Sequence, residues 1–229
     1  MNRPTYILHY APDNASLVIR LALEEIGADY RTHLVDRHQT QQRSAAYLAL
    51  NPNGLIPVLE TDQGPLFETA AVLLWLADRH GGLAPAPADM GRGDFLKWLF
   101  FLSNTLHPAL RMLFYPVNCI GTDPAHLAQL ARATRTQVTR HLGILDTRWQ
   151  EPRALGLDLY LCALLRWLAL YPVSDDKSWF DLRDYPALLK TTKALESRAS
   201  VGAAQEAEGL GVTPFSAPQL PSPPEGSAT

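Results

Sequence analysis

Along the first eighty residues the apolar positions change period several times. Residues 5–10 (Thr-Tyr-Ile-Leu-His-Tyr) are dense in β-branched and aromatic side chains and predict a strand. Pro12, Asp13 and Asn14 break it. Over residues 16–26, Ile19, Ala22, Leu23 and Ile26 recur at the spacing of one helix face. Gly27 stands where that helix ends. Residues 29–35 predict a second strand, and strand–helix–strand implies a parallel pair joined by a right-handed crossover. A polar stretch at 36–44 leads to a short apolar segment around Tyr47 and Leu50, then to the turn cluster Asn51-Pro52-Asn53-Gly54. Residues 56–60 and 65–67 predict two short strands around an Asp62-Gln63-Gly64 turn. Residues 69–79 place Thr69, Val72, Leu73 and Leu76 on one helical face. The predicted order is β-α-β-α-β-β-α.

Beyond that point the pattern becomes helical. Residues 81–93 contain Gly81, Gly82, Pro85, Pro87 and Gly91 and predict a linker. From 93 to about 202 the helical period persists. Leu127, Ala131, Thr134, Val138, Leu142 and Leu145 form one long stripe, and residues 157–170 are apolar nearly all round, as in a helix at the centre of a bundle. Pro186 sits early in one more helix. Five prolines fall in 213–229, so that tail is expected to lack fixed structure. The expected organisation is an α+β unit at 1–81, a linker at 82–92, an all-α helical bundle at 93–212 and a Pro-rich tail at 213–229. There is no internal repeat.

Composition narrows the class. The 229 residues are 47% apolar and 19% charged, enough for a packed core, with a net charge of −3 and a pI of about 6.1. The basic footprint of a nucleic-acid binder is absent. The longest apolar stretch, 159–170, is interrupted by Arg166 and is too short to span a bilayer, so no membrane partner is expected. Arg3 and Pro4 lead straight into the first strand without a leader pattern, so a cytoplasmic protein is expected. Cys119 and Cys162 form no CxxC pair, and both read as small core hydrophobes rather than a disulfide. No metal is expected.

Two places carry candidate chemistry. Pro57 cannot donate to a ladder from its own nitrogen. A cis Ile56-Pro57 bond would leave the Ile56 N–H and C=O facing outward to pair with an extended peptide, whereas a trans edge proline would bind nothing. Glu68 and Thr69 stand where the chain enters a helix. Thr69 is a candidate N-cap, the first-turn N–H groups form an anion site, and Glu68 can pair with a ligand ammonium. The alternative is a simple cap with an exposed acid. A lone histidine in an apolar helix, as His107 is, reads by itself as structural.

Several ordered motifs give the chain a family resemblance. Tyr-Ala-Pro-x-x-x-Ser-Leu at 10–17, Asn-Pro-x-Gly-x-Ile-Pro-Val-Leu at 51–59 and Phe-Glu-Thr-x-Ala-Val at 67–72 resemble the glutathione transferase family, most closely its bacterial beta-type members. The likeness continues through Trp98-Leu99, Leu106-His107, Asp158-Leu159-Tyr160, Leu165-Arg166-Trp167 and Ala207-Glu208-Gly209-Leu210. It implies a thioredoxin-like N-terminal domain followed by the helical bundle, and a cytoplasmic homodimer. It also implies glutathione as co-substrate, a small hydrophobic electrophile as partner, and a detoxifying role. By that resemblance Ile56, beside cis-Pro57, would bond the cysteinyl backbone of glutathione. Glu68 and Thr69 would hold its γ-glutamyl end, and His107 would line the cleft. Phe100, Met112, Phe114 and Tyr115 would wall the electrophile site.

The group that activates the thiol is left open. The beta-type pattern has a cysteine where Ala15 stands, so no mixed disulfide can form there. Ser16, Tyr10 and Asn14 are the donor candidates, and a charged Asp13 nearby would oppose thiolate formation. The usual Ser/Thr-x-x-Asp capping box before the central helix is also reduced: Leu155 replaces its hydroxyl and Asp158 alone remains. Pro108 stands in place of a lysine, and Phe100 in place of a polar contact. Three functions fit: conjugation of glutathione to a hydrophobic electrophile, glutathione-dependent disulfide reduction, or non-catalytic ligand binding on the same fold.

Overall fold

The computed structural model describes residues 6–228. Strands β1 (Tyr6–Tyr10), β2 (Tyr30–Leu34), β3 (Val58–Thr61) and β4 (Gly64–Phe67) form one sheet in the order β2-β1-β3-β4. β1 and β2 run parallel, from Tyr6 opposite Tyr30 to Tyr10 opposite Leu34. The connection between them is helix α1 (Ser16–Glu25). β3 is antiparallel to both β1 and β4. The period of two along β1 sends Tyr6, Leu8 and Tyr10 to one face, where α1 and α3 (Thr69–His80) bury them. His9 points the other way, toward Tyr47 of helix α2 (Ala45–Leu50). Ile56 and Pro57 precede the third strand rather than open it. With no N–H on Pro57, the ladder starts at Val58, opposite Phe67.

The C-terminal part holds α4 (Arg92–Phe101), a π-helical turn at Leu102–Leu106, α5 (His107–Phe114), α6 (Val117–Ile120), α7 (Pro124–Arg148), α8 (Leu155–Leu170), α9 (Pro186–Glu196) and α10 (Ala199–Glu208). α7 starts on an Asp123 cap whose carboxylate accepts from Ala125 and His126 N–H. Of the expected stripe, Thr134, Val138, Leu142 and Leu145 are buried, while Leu127 and Ala131 are half-buried toward the free end of the helix. α8 is buried nearly all round and forms the centre of the bundle. Without a capping hydroxyl, Asp158 instead accepts from Trp149 Nε1 at 2.8 Å and Arg153 Nε at 2.5 Å, fastening the loop before the helix. The Gly156 N–H donates to the Leu83 carbonyl, and a Cβ at this glycine would lie 2.8 Å from that oxygen. Domain contact through the linker therefore needs glycine here.

Three expectations change. Helix does not continue from 93 to 202: residues 171–185 form an irregular loop with one 3-10 turn at Leu182–Asp184, because Pro172 and the polar Asp175-Asp176 end the apolar period. Cys119 is exposed, whereas Cys162 is in the core. The tail is not free of structure along its described length. Prolines lack the N–H that a ladder would use, but their carbonyls remain acceptors. Arg166, fully buried on α8, donates to the carbonyls of Leu210, Pro214 and Gln219. Glu196 accepts from the N–H of Phe215 and Ser216, and the Phe215 ring is buried. Gly209, at φ +61°, approaches the Ser222 carbonyl so closely that a Cβ would sit 2.0 Å from its oxygen. The segment then crosses back to the sheet, where Gly226 lies against Leu34 and Pro12.

Candidate functional site

A cleft of about 810 Å³ opens between the sheet domain and the helical domain. The loop after β1, the turn before β3, the start of α3, the α4–α5 wall and residues 171–174 line it. Of the eight residues named from the sequence as thiol-activating or glutathione-contact candidates, six come together there: Asn14, Ile56, Pro57, Glu68, Thr69 and His107. Tyr10 and Ser16 do not.

The peptide-binding side follows from backbone geometry. The Ile56-Pro57 bond is cis, and among the described residues the Ile56 N–H and C=O make no hydrogen bond. The turn that presents them is held by Asn51 Nδ2 and Tyr47 Oη, which both donate to the Leu55 carbonyl at 2.7 and 2.8 Å. Glu68, not Thr69, occupies the cap position of α3; Thr69 is the first helical residue. Glu68 has φ +71° and ψ +108°, an uncommon conformation for a residue with a side chain. Strain of this kind tends to gather at functional sites. No side chain caps α3, so its first N–H groups, Thr69 to Ala71, face the cleft as an anion site.

The start of α1 separates the three donor candidates. The Ser16 hydroxyl is fully buried, donates to the Ala11 carbonyl at 3.1 Å and accepts from the Ala11 N–H at 3.4 Å. It holds the loop together and does not line the cleft. The Tyr10 hydroxyl donates to Glu225 Oε1 at 2.5 Å, and the Arg20 guanidinium stacks on its ring. Burial first, and then Glu225, push its ionisation well above the ordinary phenol value. Asn14 remains at the cleft. Its Oδ1 accepts from the Ala15 N–H at 2.8 Å, which leaves the amide nitrogen without a hydrogen-bond partner among the described residues.

Asp13, which the sequence flagged as a threat to a thiolate, is neutralised. It sits at φ +50° with its side chain buried, and accepts from Arg166 Nε and Nη2, Trp167 Nε1 and Tyr171 Oη at 2.6–3.0 Å. Its N–H donates to Glu208, which pairs with Arg20 at 2.7 Å. These buried bonds fix the 11–15 loop against α8 and α10.

On the opposite wall the π-helical turn at Leu102–Leu106 precedes His107. Such turns often mark functional positions. His107 Nδ1 lies 2.9 Å from Tyr160 Oη, and its ring packs on Trp167. Burial, and secondarily the Arg111 cation, push its pKa down to about 4. A neutral imidazole that accepts from Tyr160 at Nδ1 carries its proton on Nε2. Phe100, Phe114 and Tyr115 line the cleft as expected; Met112 does not, because it lies on another face of α5. Sequence reading missed Arg37, Asn104, Arg111 and the 171–174 loop as cleft residues. Pro172 was the available signal for the loop; the two arginines carried none, since lone arginines are scattered along the chain.

Among the described residues no group of three or more His, Cys, Asp or Glu is arranged to hold a metal ion, and no helix is long and apolar enough to cross a membrane.

Comparison with known proteins agrees with this geometry. The family described as "Glutathione S-transferase, N-terminal domain" matches residues 15–79. The chain is 29% identical over 211 residues to glutathione S-transferase GST-4.5 of Xanthomonas campestris pv. campestris, covering 89% of this chain and 98% of that protein. It is 28% identical over 207 residues to the disulfide-bond oxidoreductase YfcG of Escherichia coli, covering 86% and 93%. A sphingomonad glutathione S-transferase solved in complex with glutathione matches with a TM-score of 0.74 at 33% identity, over 90% of this chain and all of that one. In both fold and sequence, this chain belongs to the glutathione S-transferase family.

Proposed function

We propose that the cleft binds glutathione and presents its thiolate to a hydrophobic electrophile. The observation that carries this reading is the convergence, on one cleft, of the unpaired Ile56 backbone, the uncapped start of α3 and Asn14. The Ile56 N–H and C=O pair with the cysteinyl backbone. The first-turn N–H groups at Thr69 take the γ-glutamyl carboxylate, and Glu68 takes its ammonium. The thiol then points to the beginning of α1.

A free thiol has a pKa of about 8.5. Lowering it by one to two units needs about 1.4–2.7 kcal/mol of preference for the anion. The Asn14 amide nitrogen and the N-terminus of α1 supply that preference, while Ser16 shapes the loop and Tyr10 is held by the tail. The sulfur attacks an electrophilic carbon, a C–S bond forms, the leaving group departs with its electron pair, and the thiol proton passes to solvent. The apolar wall of Phe100, Phe114 and Tyr115 holds the electrophile. The likeness to beta-type members and a homodimer of the 25.3 kDa chain are part of the same proposal; light scattering of the purified protein tests the latter.

Conjugation of glutathione to 1-chloro-2,4-dinitrobenzene, followed by absorbance, tests the activity. Turnover lowered by Asn14→Ala supports the reading; glutathione binding without turnover on a panel of electrophiles removes it. The similarity to the oxidoreductase YfcG favours disulfide reduction as a second reading. In that reaction one glutathione thiolate attacks a disulfide and a second glutathione resolves the mixed product, giving oxidised glutathione and two thiols. Activity on hydroxyethyl disulfide but not on aryl halides selects it.

A further inference from the structure

Pairing the charges that line the cleft with those of glutathione, group by group, leaves one arginine over. Four charged side chains face it: Asp13, Arg37, Glu68 and Arg111. Asp13 is neutralised by Arg166. Among the described residues neither Arg37 nor Arg111 has a carboxylate partner. The two cations converge on one ring: Arg37 Nη2 lies 3.4 Å from Tyr115 Oη, and the Arg111 guanidinium stands over the same ring, 5.5 Å from its centroid.

Glutathione brings two carboxylates and one ammonium. In the binding mode above, the start of α3 and Glu68 satisfy the γ-glutamyl end, which leaves one carboxylate for two arginines. Arg37 belongs to the sheet domain that holds the peptide, and it also donates to the Ala228 carbonyl. Arg111 lies one helical turn after His107 on α5, so the two share a face. It stands on the apolar wall with Phe114 and Tyr115, on the side assigned to the second substrate.

We infer that Arg111 recognises a carboxylate on the second substrate, so that the preferred electrophile is an apolar, aromatic body carrying an acidic group. This rests on the glutathione-transferase reading. A guanidinium matches a carboxylate in shape and charge, and the apolar wall around it raises the worth of the pair above that of a fully solvated one. Exposure of the Arg111 side chain limits the gain.

The test uses two electrophiles of the same skeleton, 4-chloro-3-nitrobenzoate and its methyl ester. In both, the glutathione sulfur displaces chloride from the ring carbon. With rates divided by the uncatalysed ones, the wild-type kcat/KM is expected to favour the acid by about tenfold, the effect of one partly solvated charged hydrogen bond. Arg111→Gln is expected to abolish the preference and Arg111→Lys to restore part of it. Equal wild-type rates for acid and ester, or a preference that survives Arg111→Gln, overturn the proposal. Should neither compound turn over, the transferase reading fails separately. Quenching of the protein's tryptophan fluorescence by the two compounds, with Trp167 lining the cleft, then still decides the role of Arg111: tighter binding of the acid, lost in Arg111→Gln, supports it, and equal binding overturns it.

Discussion

Asp13 and Arg166, 153 residues apart, meet with both side chains fully buried and two hydrogen bonds of 2.8 and 3.0 Å across the domain boundary. The same guanidinium holds three carbonyls of the C-terminal segment, so one side chain ties together the loop at the cleft, the central helix and the tail. Removing one partner strands a buried charge. Arg166→Met is expected to destabilise the protein by about 3–5 kcal/mol, read from urea unfolding. A double change with Asp13→Asn is expected to recover part of that loss. Additive effects would contradict direct coupling.

Ser16 and Asn14 separate structure from chemistry at the start of α1. Ser16→Ala leaves the Ala11 backbone groups unpaired in the core and is expected to cost about 1–2 kcal/mol of stability while kcat at 25 °C is retained. Asn14→Ala is expected to leave the unfolding midpoint nearly unchanged and to lower kcat/KM for conjugation by about tenfold or more. Thiolate absorbance of bound glutathione should show a raised thiol pKa in Asn14→Ala alone. The reverse pattern between the two variants would return Ser16 to the reaction.

His107 makes stability depend on pH in acid. Above pH 6.5, the ordinary histidine value, folded and unfolded chains both hold it neutral. As the pH falls from 6.5 toward about 4, the unfolded chain takes up a proton that the folded one refuses, because burial disfavours the imidazolium. Stability is therefore lost across that window, by at most about 3 kcal/mol from this group. His107→Gln should flatten the slope of unfolding free energy between pH 4 and 6.5. An unchanged slope would place the proton uptake elsewhere.

The tail is expected to contribute to folding. Deleting residues 213–229 removes the buried Phe215 ring, two of the three carbonyl partners of Arg166 and the Glu225 carboxylate on Tyr10. A loss of about 3 kcal/mol or more is expected in urea unfolding. An unchanged midpoint would mean that the segment adds no net stability.

Much of this architecture is legible in the sequence because local periodicity carries it. The alternation in β1, the 3.6-residue stripes of α1 and α3 and the all-apolar α8 each reflect one buried face, and a buried face is what periodicity reports. The cleft was legible in part. Pro57 and the Glu68–Thr69 corner are marked by backbone chemistry that few residue types provide. The orientation of Ser16 and Tyr10 was not legible, because a hydroxyl near a site has no direction in a sequence; Ser16 turns inward to Ala11, and Tyr10 bonds Glu225 from 215 positions away. The tail misled for the same reason. Its prolines argue against a ladder, but the groups that hold it, the Arg166 guanidinium on α8, which donates to its carbonyls, and the Glu196 carboxylate on α9, which accepts from its Phe215 and Ser216 N–H groups, arise from long-range packing.

Calorimetric titration of glutathione into the wild-type protein and Glu68→Gln tests the central claim most directly. Saturable one-site binding to the wild type is expected, weakened by about tenfold in the variant through loss of the carboxylate–ammonium pair. No heat of binding to the wild type, or equal affinity in the variant, would contradict the placement of glutathione in this cleft.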